Sequence, residues 1–169
     1  MYQLMNSIGK FTALAMSICC LLLSNSCVKE DDETTYSKQE EELFNYVETR
    51  ALEYVEYGNG VWRLIEKEGR DDIIVSHGSK IKIDYSLCAY SSLGVVLVAT
   101  NVGTAEADEW LTVGKKELIA GLDIGIIGAG LNEECEVVFT ARHGFGNKQM
   151  GVIPKMMPLL VRVTVKEIE

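Results

Sequence analysis

The sequence predicts an α+β domain: a largely antiparallel sheet around one short internal helix, with an amphipathic helix added at its N-terminal side. Three observations carry that expectation. From Val61 onward, short β-rich runs alternate with turns containing Gly, Asn and Asp. Gly114 ends one of those runs just before a short helical segment, Lys115 to Ala120. Upstream, Leu43, Phe44, Val47, Ala51, Tyr54 and Val55 recur at three- and four-residue spacing, which is one face of a helix.

Taken in order, the first 26 residues read as a leader. Lys10 supplies positive charge, and Phe11 to Leu23 is an apolar run too short for the ~20 residues a spanning helix needs. Small residues then lead into Cys27, similar to a bacterial lipoprotein signal, with a plain secretory leader as the alternative. The similarity implies cleavage before Cys27 and lipidation of its thiol, and so an outer-membrane anchor in the cell envelope. Residues 27–36 form an acidic tether. Lys29-Glu30-Asp31-Asp32 is similar to signals for display on the outer face, so both periplasmic and surface orientations stay open.

The amphipathic helix is expected over 37–58. Ser37-Lys38-Gln39-Glu40 has capping-box spacing, and Gly58-Asn59-Gly60 supplies the left-handed conformers of a C-cap. Its stripe packs on the domain, with self-association as the alternative. Strands follow at Val61–Glu68, Ile73–Val75, Lys80–Tyr90 and Val95–Thr100, then a polar loop at Thr104–Glu109 and a strand at Trp110–Val113. The short helix at Lys115–Ala120 precedes strands at Glu134–Ala141 and Leu159–Ile168. The domain is bounded as 60–169.

Composition excludes several functions. The formal net charge is −9, and removing Lys10 with the leader while keeping all 25 acids makes it about −10. Such a chain repels phosphate backbones, so nucleic acid is not an expected partner. His77 and His143 have no partner at metal-ligand spacing, so no metal or cofactor is expected. Gly125, Gly128 and Gly130 lack the dinucleotide spacing and read as turns. Met150, Met156 and Met157 flank Pro154 as loop packing, with a flexible peptide-binding rim as the alternative. Cys88 and Cys135 fall on opposite faces by strand alternation and are read as unpaired.

Four segments carry a family resemblance. They are G-V-W-R-L-I-E-K-E-G at 60–69, Ile83-Asp84-Tyr85, Lys115 to Gly125, and the loop from Gly144 to Leu159 containing V-I-P. Together they resemble the FKBP-type peptidyl-prolyl isomerases over residues 60–169. The resemblance implies a half-barrel sheet wrapped on the short helix, with proline-containing segments as partners. It implies that the backbone amide of Ile119 donates to a substrate carbonyl, while Tyr85 and Phe145 act as catalytic walls. Leu97, Leu118, Leu122, Ile153 and Val161 would contact substrate. The sequence departs from the family at Leu97-Val98 in place of Phe-Asp, Leu122 in place of Trp, Phe145 in place of Tyr and Val161 in place of Phe. These departures define the alternative expectation, a non-catalytic interaction module on the same fold.

Overall fold

A computed structural model describes residues 32–169; the leader 1–26, Cys27 and the first residues of the tether lie outside the described residues. Helix α1 (Asp32–Arg50) leads into strands β1 (Glu53–Gly58), β2 (Val61–Lys67) and β3 (Arg70–Ile74). Strands β4 (Lys80–Ser91) and β5 (Gly94–Thr100) follow, then a 3-10 turn at Ala105–Asp108 and the short β6 (Leu111–Thr112). Helix α2 (Ala120–Gly125), β7 (Gly130–Leu131), β8 (Glu134–Phe139) and β9 (Leu159–Ile168) complete the chain. The main sheet runs β1-β2-β8-β9-β4-β5, with β6 added to β4, and β3 and β7 form a separate ribbon. Every pairing is antiparallel. The expected class, an antiparallel sheet with one short helix and an added N-terminal helix, is the one observed.

The added helix is displaced from its expected span of 37–58. It begins before Ser37, whose hydroxyl is no cap; it donates to the Glu33 carbonyl one turn back at 3.1 Å. Asp32 and Glu33 in the first turn favour the positive end of the helix, so the supposed tether is already helical there. The helix stops at Arg50 because Ala51 turns left-handed at φ 53°. Residues 53–58 are instead strand β1, in which Tyr54 pairs with Leu64 and Val55 with Arg63. Gly58-Asn59-Gly60 is therefore the turn of a hairpin. Asn59 and Gly60, at φ 51° and 81°, are the two positive-φ residues that a tight Asn-Gly loop needs. Positive φ suits a helix C-cap and a hairpin alike, and the aromatic and β-branched residues of 54–57 decide between them.

Strand alternation divides the buried side chains into two layers. On one face of the sheet Val61, Ile83, Cys135, Val137, Phe139, Val161 and Val163 pack with Leu122 and Ile126 from the α2 region. On the other, Trp62, Leu64, Cys88, Val138 and Leu160 receive Leu43 and Val47 of α1. Burying those two α1 side chains contributes roughly 1.5–3 kcal/mol each. Cys88 and Cys135 are free thiols in different layers.

The internal helix also lies later than Lys115–Ala120. Lys116 adopts φ 62° and breaks any helix across 115–118, and Ile119, extended at φ −62° and ψ 138°, caps the run that starts at Ala120. Gly125, expected in a turn, is the last residue of α2. A Cβ there would come within 2.3 Å of the Val137 side chain, and one at Gly121 within 2.2 Å of the Phe139 ring. Two glycines four apart thus let α2 lie directly on β8.

Candidate functional site

Beside α2 the sheet leaves an apolar-walled cavity of about 240 Å³. This is somewhat below the ~300–1,000 Å³ typical of sites for drug-sized ligands, a scale suited to one ring and its flanking backbone. Tyr85 and Leu87, two apart on β4, point to the same side and supply one wall. Val161 is added by β9, where it pairs with Leu87. Leu118, Ile119 and Leu122 come from the turn into α2 and its first turn, and Leu111 from β6. Ala99 of β5 contributes only a methyl.

Ile119 stands at the N-cap of α2, and its carbonyl accepts from the Asp123 amide at 2.9 Å. Among the described residues no carbonyl or side chain accepts from its own N–H. A helix start leaves such donors unmatched, and Ile119 is one of the residues that line the cavity. Asp123 is occupied elsewhere, accepting from the Gly114 amide at 2.7 Å and so fixing the turn before the helix.

Tyr85 is held through its backbone. The Asn101 side-chain carbonyl accepts from the Tyr85 amide at 2.7 Å, and its NH₂ donates to the Ile83 carbonyl at 2.9 Å. The Thr100 hydroxyl donates to the Tyr85 carbonyl at 2.8 Å. Asn101 is buried, so both of its bonds are shielded from water competition. Polar character enters the lining through Asn101 and three carboxyl-bearing residues, Glu106, Glu109 and Glu117. Glu117 accepts from the Thr112 amide at 2.6 Å.

Of the residues singled out in the sequence, Tyr85, Leu118, Ile119, Leu122 and Val161 meet in this cavity. Leu97 does not; it is 60 % exposed. The β4–β5 register slips by one residue between Leu87 and Cys88, which face Ala99 and Leu97 respectively. That bulge carries Ala99, not Leu97, into the wall, because a one-residue slip reverses which side chains face inward. Val98 packs against the core instead. Position 98 lies outside the lining, and the acidic residues in it are Glu106, Glu109 and Glu117 from other segments.

Phe145 and Ile153 also stand outside the lining. Ile153 is core, 3 % exposed and bridged to Met150, and Phe145 packs half-buried against the same layer. Both loop residues are drawn to the core because the loop is tied down at its ends by α1, as described below. Met157 packs on the core while Met150 is exposed, and none of the three methionines reaches the cavity. Trp110 is partly exposed with the Lys82 ammonium 4.7 Å above its ring. His143 Nε2 lies 2.9 Å from the Asn59 carbonyl, and Gly114 leaves room for the His77 ring. Cys27 lies outside the described residues.

Sequence reasoning missed Leu87, Ala99, Asn101, Leu111 and the three glutamates. Leu87 could have been found from its two-residue step beyond Tyr85. Nothing local marks Asn101 or the glutamates.

The chain's relatives agree with this architecture. The N-terminal domain of FKBP42 from Arabidopsis thaliana is similar at 22 % identity, with a TM-score of 0.58 over 69 % of this chain and 92 % of that one. A peptidyl-prolyl cis-trans isomerase from Pseudomonas syringae pv. tomato gives a TM-score of 0.63 at 12 % identity, covering 84 % and 98 %. The three FKBP domains of wheat FKBP73 give 0.56 at 13 % identity, covering 70 % of this chain and 49 % of theirs. At such identities the likeness establishes the fold. No curated protein matches by sequence. The sequence model for FKBP-type peptidyl-prolyl cis-trans isomerases, however, matches residues 73–166, more than half of the chain. With the sheet, the short helix and the cavity between them in place, this chain belongs to the FKBP-type peptidyl-prolyl cis-trans isomerase family.

Proposed function

We propose that the chain is a lipid-anchored peptidyl-prolyl isomerase of modest activity that acts on proline-containing segments outside the cytoplasm. The observation that carries the reading is Ile119, its N–H unmatched, among the residues that line an apolar-walled cavity with Tyr85. Rotation about an X–Pro bond crosses a barrier of ~18–20 kcal/mol because the planar amide loses its resonance. No nucleophile or base is required. A site accelerates the rotation by holding the twisted amide better than either planar form, tenfold for each ~1.4 kcal/mol. The twisted amide is less dipolar than the planar one, so it suffers less from the loss of water inside walls such as Leu87, Leu122 and Val161. The donor at Ile119 can hold the carbonyl next to the rotating bond.

The smaller side chains at the cavity base set the expected strength. Leucine rather than an indole at 122 gives up ~1–2.5 kcal/mol of apolar contact with the ring it would hold. That observation also supports the second reading, an interaction module that binds such segments without speeding their rotation. Anchoring is supported by the leader-like 1–26 segment and Cys27.

The deciding experiment is proline-limited refolding of a substrate protein with full-length chain in detergent micelles. Acceleration is expected, and Tyr85→Ala should reduce it about tenfold or more. A wild-type rate equal to the uncatalysed background, with peptide binding retained, would establish the second reading in place of the first.

A further inference from the structure

We infer that the cavity selects prolyl segments in which a lysine or arginine flanks the proline. The inference rests on the reading of the cavity as the prolyl site and names the substrate class of that site.

Glu106 and Glu109 reach the lining from the 3-10 turn and its exit, and Glu117 from the turn before α2. Three glutamates from two separate stretches of chain therefore line one small cavity with apolar walls. Lysine, arginine and histidine contribute nothing to the lining. Lys115 and Lys116, the cations nearest to Glu117 in sequence, are exposed and stay outside it.

Neighbouring acids are matched within the fold. Lys166 lies 3.4 Å from Asp84 and 3.5 Å from Asp108, and Lys82 lies 2.9 Å from Glu167. Among the described residues no cation pairs with Glu106, Glu109 or Glu117. The Thr112 amide fixes the Glu117 carboxylate without cancelling its charge. The cavity thus carries glutamates without a cation partner, one of them fixed by Thr112, among the same lining residues as Ile119.

A cationic side chain one residue from a seated proline reaches these carboxylates while its ammonium or guanidinium stays hydrated. Each exposed pair of this kind is expected to change affinity by a factor of about 1.5 to 5. A glutamate at the same place would be repelled to a similar degree. Lysine over glutamate should therefore be favoured by about tenfold at low ionic strength. At 1 M salt, where charges are screened beyond ~3 Å, the preference should shrink towards twofold.

The test uses full-length protein in nonionic micelles and end-blocked fluorescent peptides Ala-X-Pro-Phe with X as lysine, leucine or glutamate. The expected order of affinity is lysine, leucine, glutamate, with a span that narrows in salt and in the E106Q/E109Q variant. E117Q keeps an acceptor for Thr112 and should narrow it further. Equal binding of lysine and glutamate peptides while the leucine peptide binds would overturn charge selection and leave the site reading intact. A span that persists in E106Q/E109Q would also overturn it. Failure of all three peptides to bind would overturn the site reading and this inference with it.

Discussion

Glu136 has no exposed surface, on a strand between the sheet's core and α1. The Tyr46 hydroxyl donates to it at 2.5 Å and Arg162 Nε at 3.2 Å, so it is bonded from two elements and its charge is matched by Arg162. Burial, and then the bond to Glu136, push the Tyr46 phenol well above its usual range near 10. Burial likewise raises Tyr57 and Tyr90 and the thiols of Cys88 and Cys135. In the unfolded chain these groups ionise while the folded chain still holds their protons. Their contribution is thus complete at neutral pH and is lost as pH climbs from about 9 through the raised values. Tyr46→Phe should cost about 1–3 kcal/mol at pH 7, because Glu136 loses a donor, and should make the alkaline fall shallower. Thermal denaturation of both proteins against pH checks this; parallel curves would remove Tyr46 from the account. The legible site residues share a trait: Tyr85, Ile119, Leu122 and Val161 sit on or beside regular elements whose side chains follow a period. Leu97 was misread because a bulge is invisible in a run of Val, Val, Leu and Val. Glu106 and Glu109 hid in a polar turn, and Glu117 in a stretch expected to be helical, whose aim only the tertiary structure sets.

At the level of elements, α1 does more than cover the sheet. Gln39, 6 % exposed, accepts from the Ala141 amide at 2.9 Å and donates to the Met156 carbonyl at 2.8 Å. Gly146 continues the stitch, donating to the Ala141 carbonyl and accepting from the Met156 amide, both at 2.8 Å. Arg142 adds an ion pair to Glu33 at 2.6 Å and stacks over Tyr36. One amide side chain of the helix therefore joins the two ends of the long loop that carries Phe145 and Ile153. Gln39→Leu leaves two buried backbone groups unmatched and should cost roughly 2–4 kcal/mol. Amide exchange read by mass spectrometry should quicken first over 141–157, since local opening follows the weakest ties. Uniform acceleration across the chain would contradict that role. Expected strands such as Leu159–Ile168 were legible because alternation and β-branching agree along their whole length. The α1–β1 boundary was not, because a helical stripe of Leu43, Val47 and Tyr54 runs across a backbone reversal that a single left-handed alanine creates.

For the whole molecule, net charge and the proposed anchor would pull in opposite directions. The formal net charge of −9 is repelled by anionic lipid surfaces, so net charge does not draw the chain to such a membrane. The proposed acyl chains on Cys27, at ~0.8 kcal/mol per buried methylene, would supply the attachment instead. Cells fed labelled palmitate should yield labelled wild-type protein and unlabelled Cys27→Ala; an unlabelled wild type would refute the anchor. The sheet's order has a consequence for biosynthesis. β9 lies between β8 and β4, so the strand that joins the two halves of the sheet is the domain's last to leave the ribosome. Until it emerges, β4 and β8 lack the neighbour they share, and the nascent chain has no complete template on which to settle. The main sheet is therefore completed only when Leu159–Ile168 seats between its two halves.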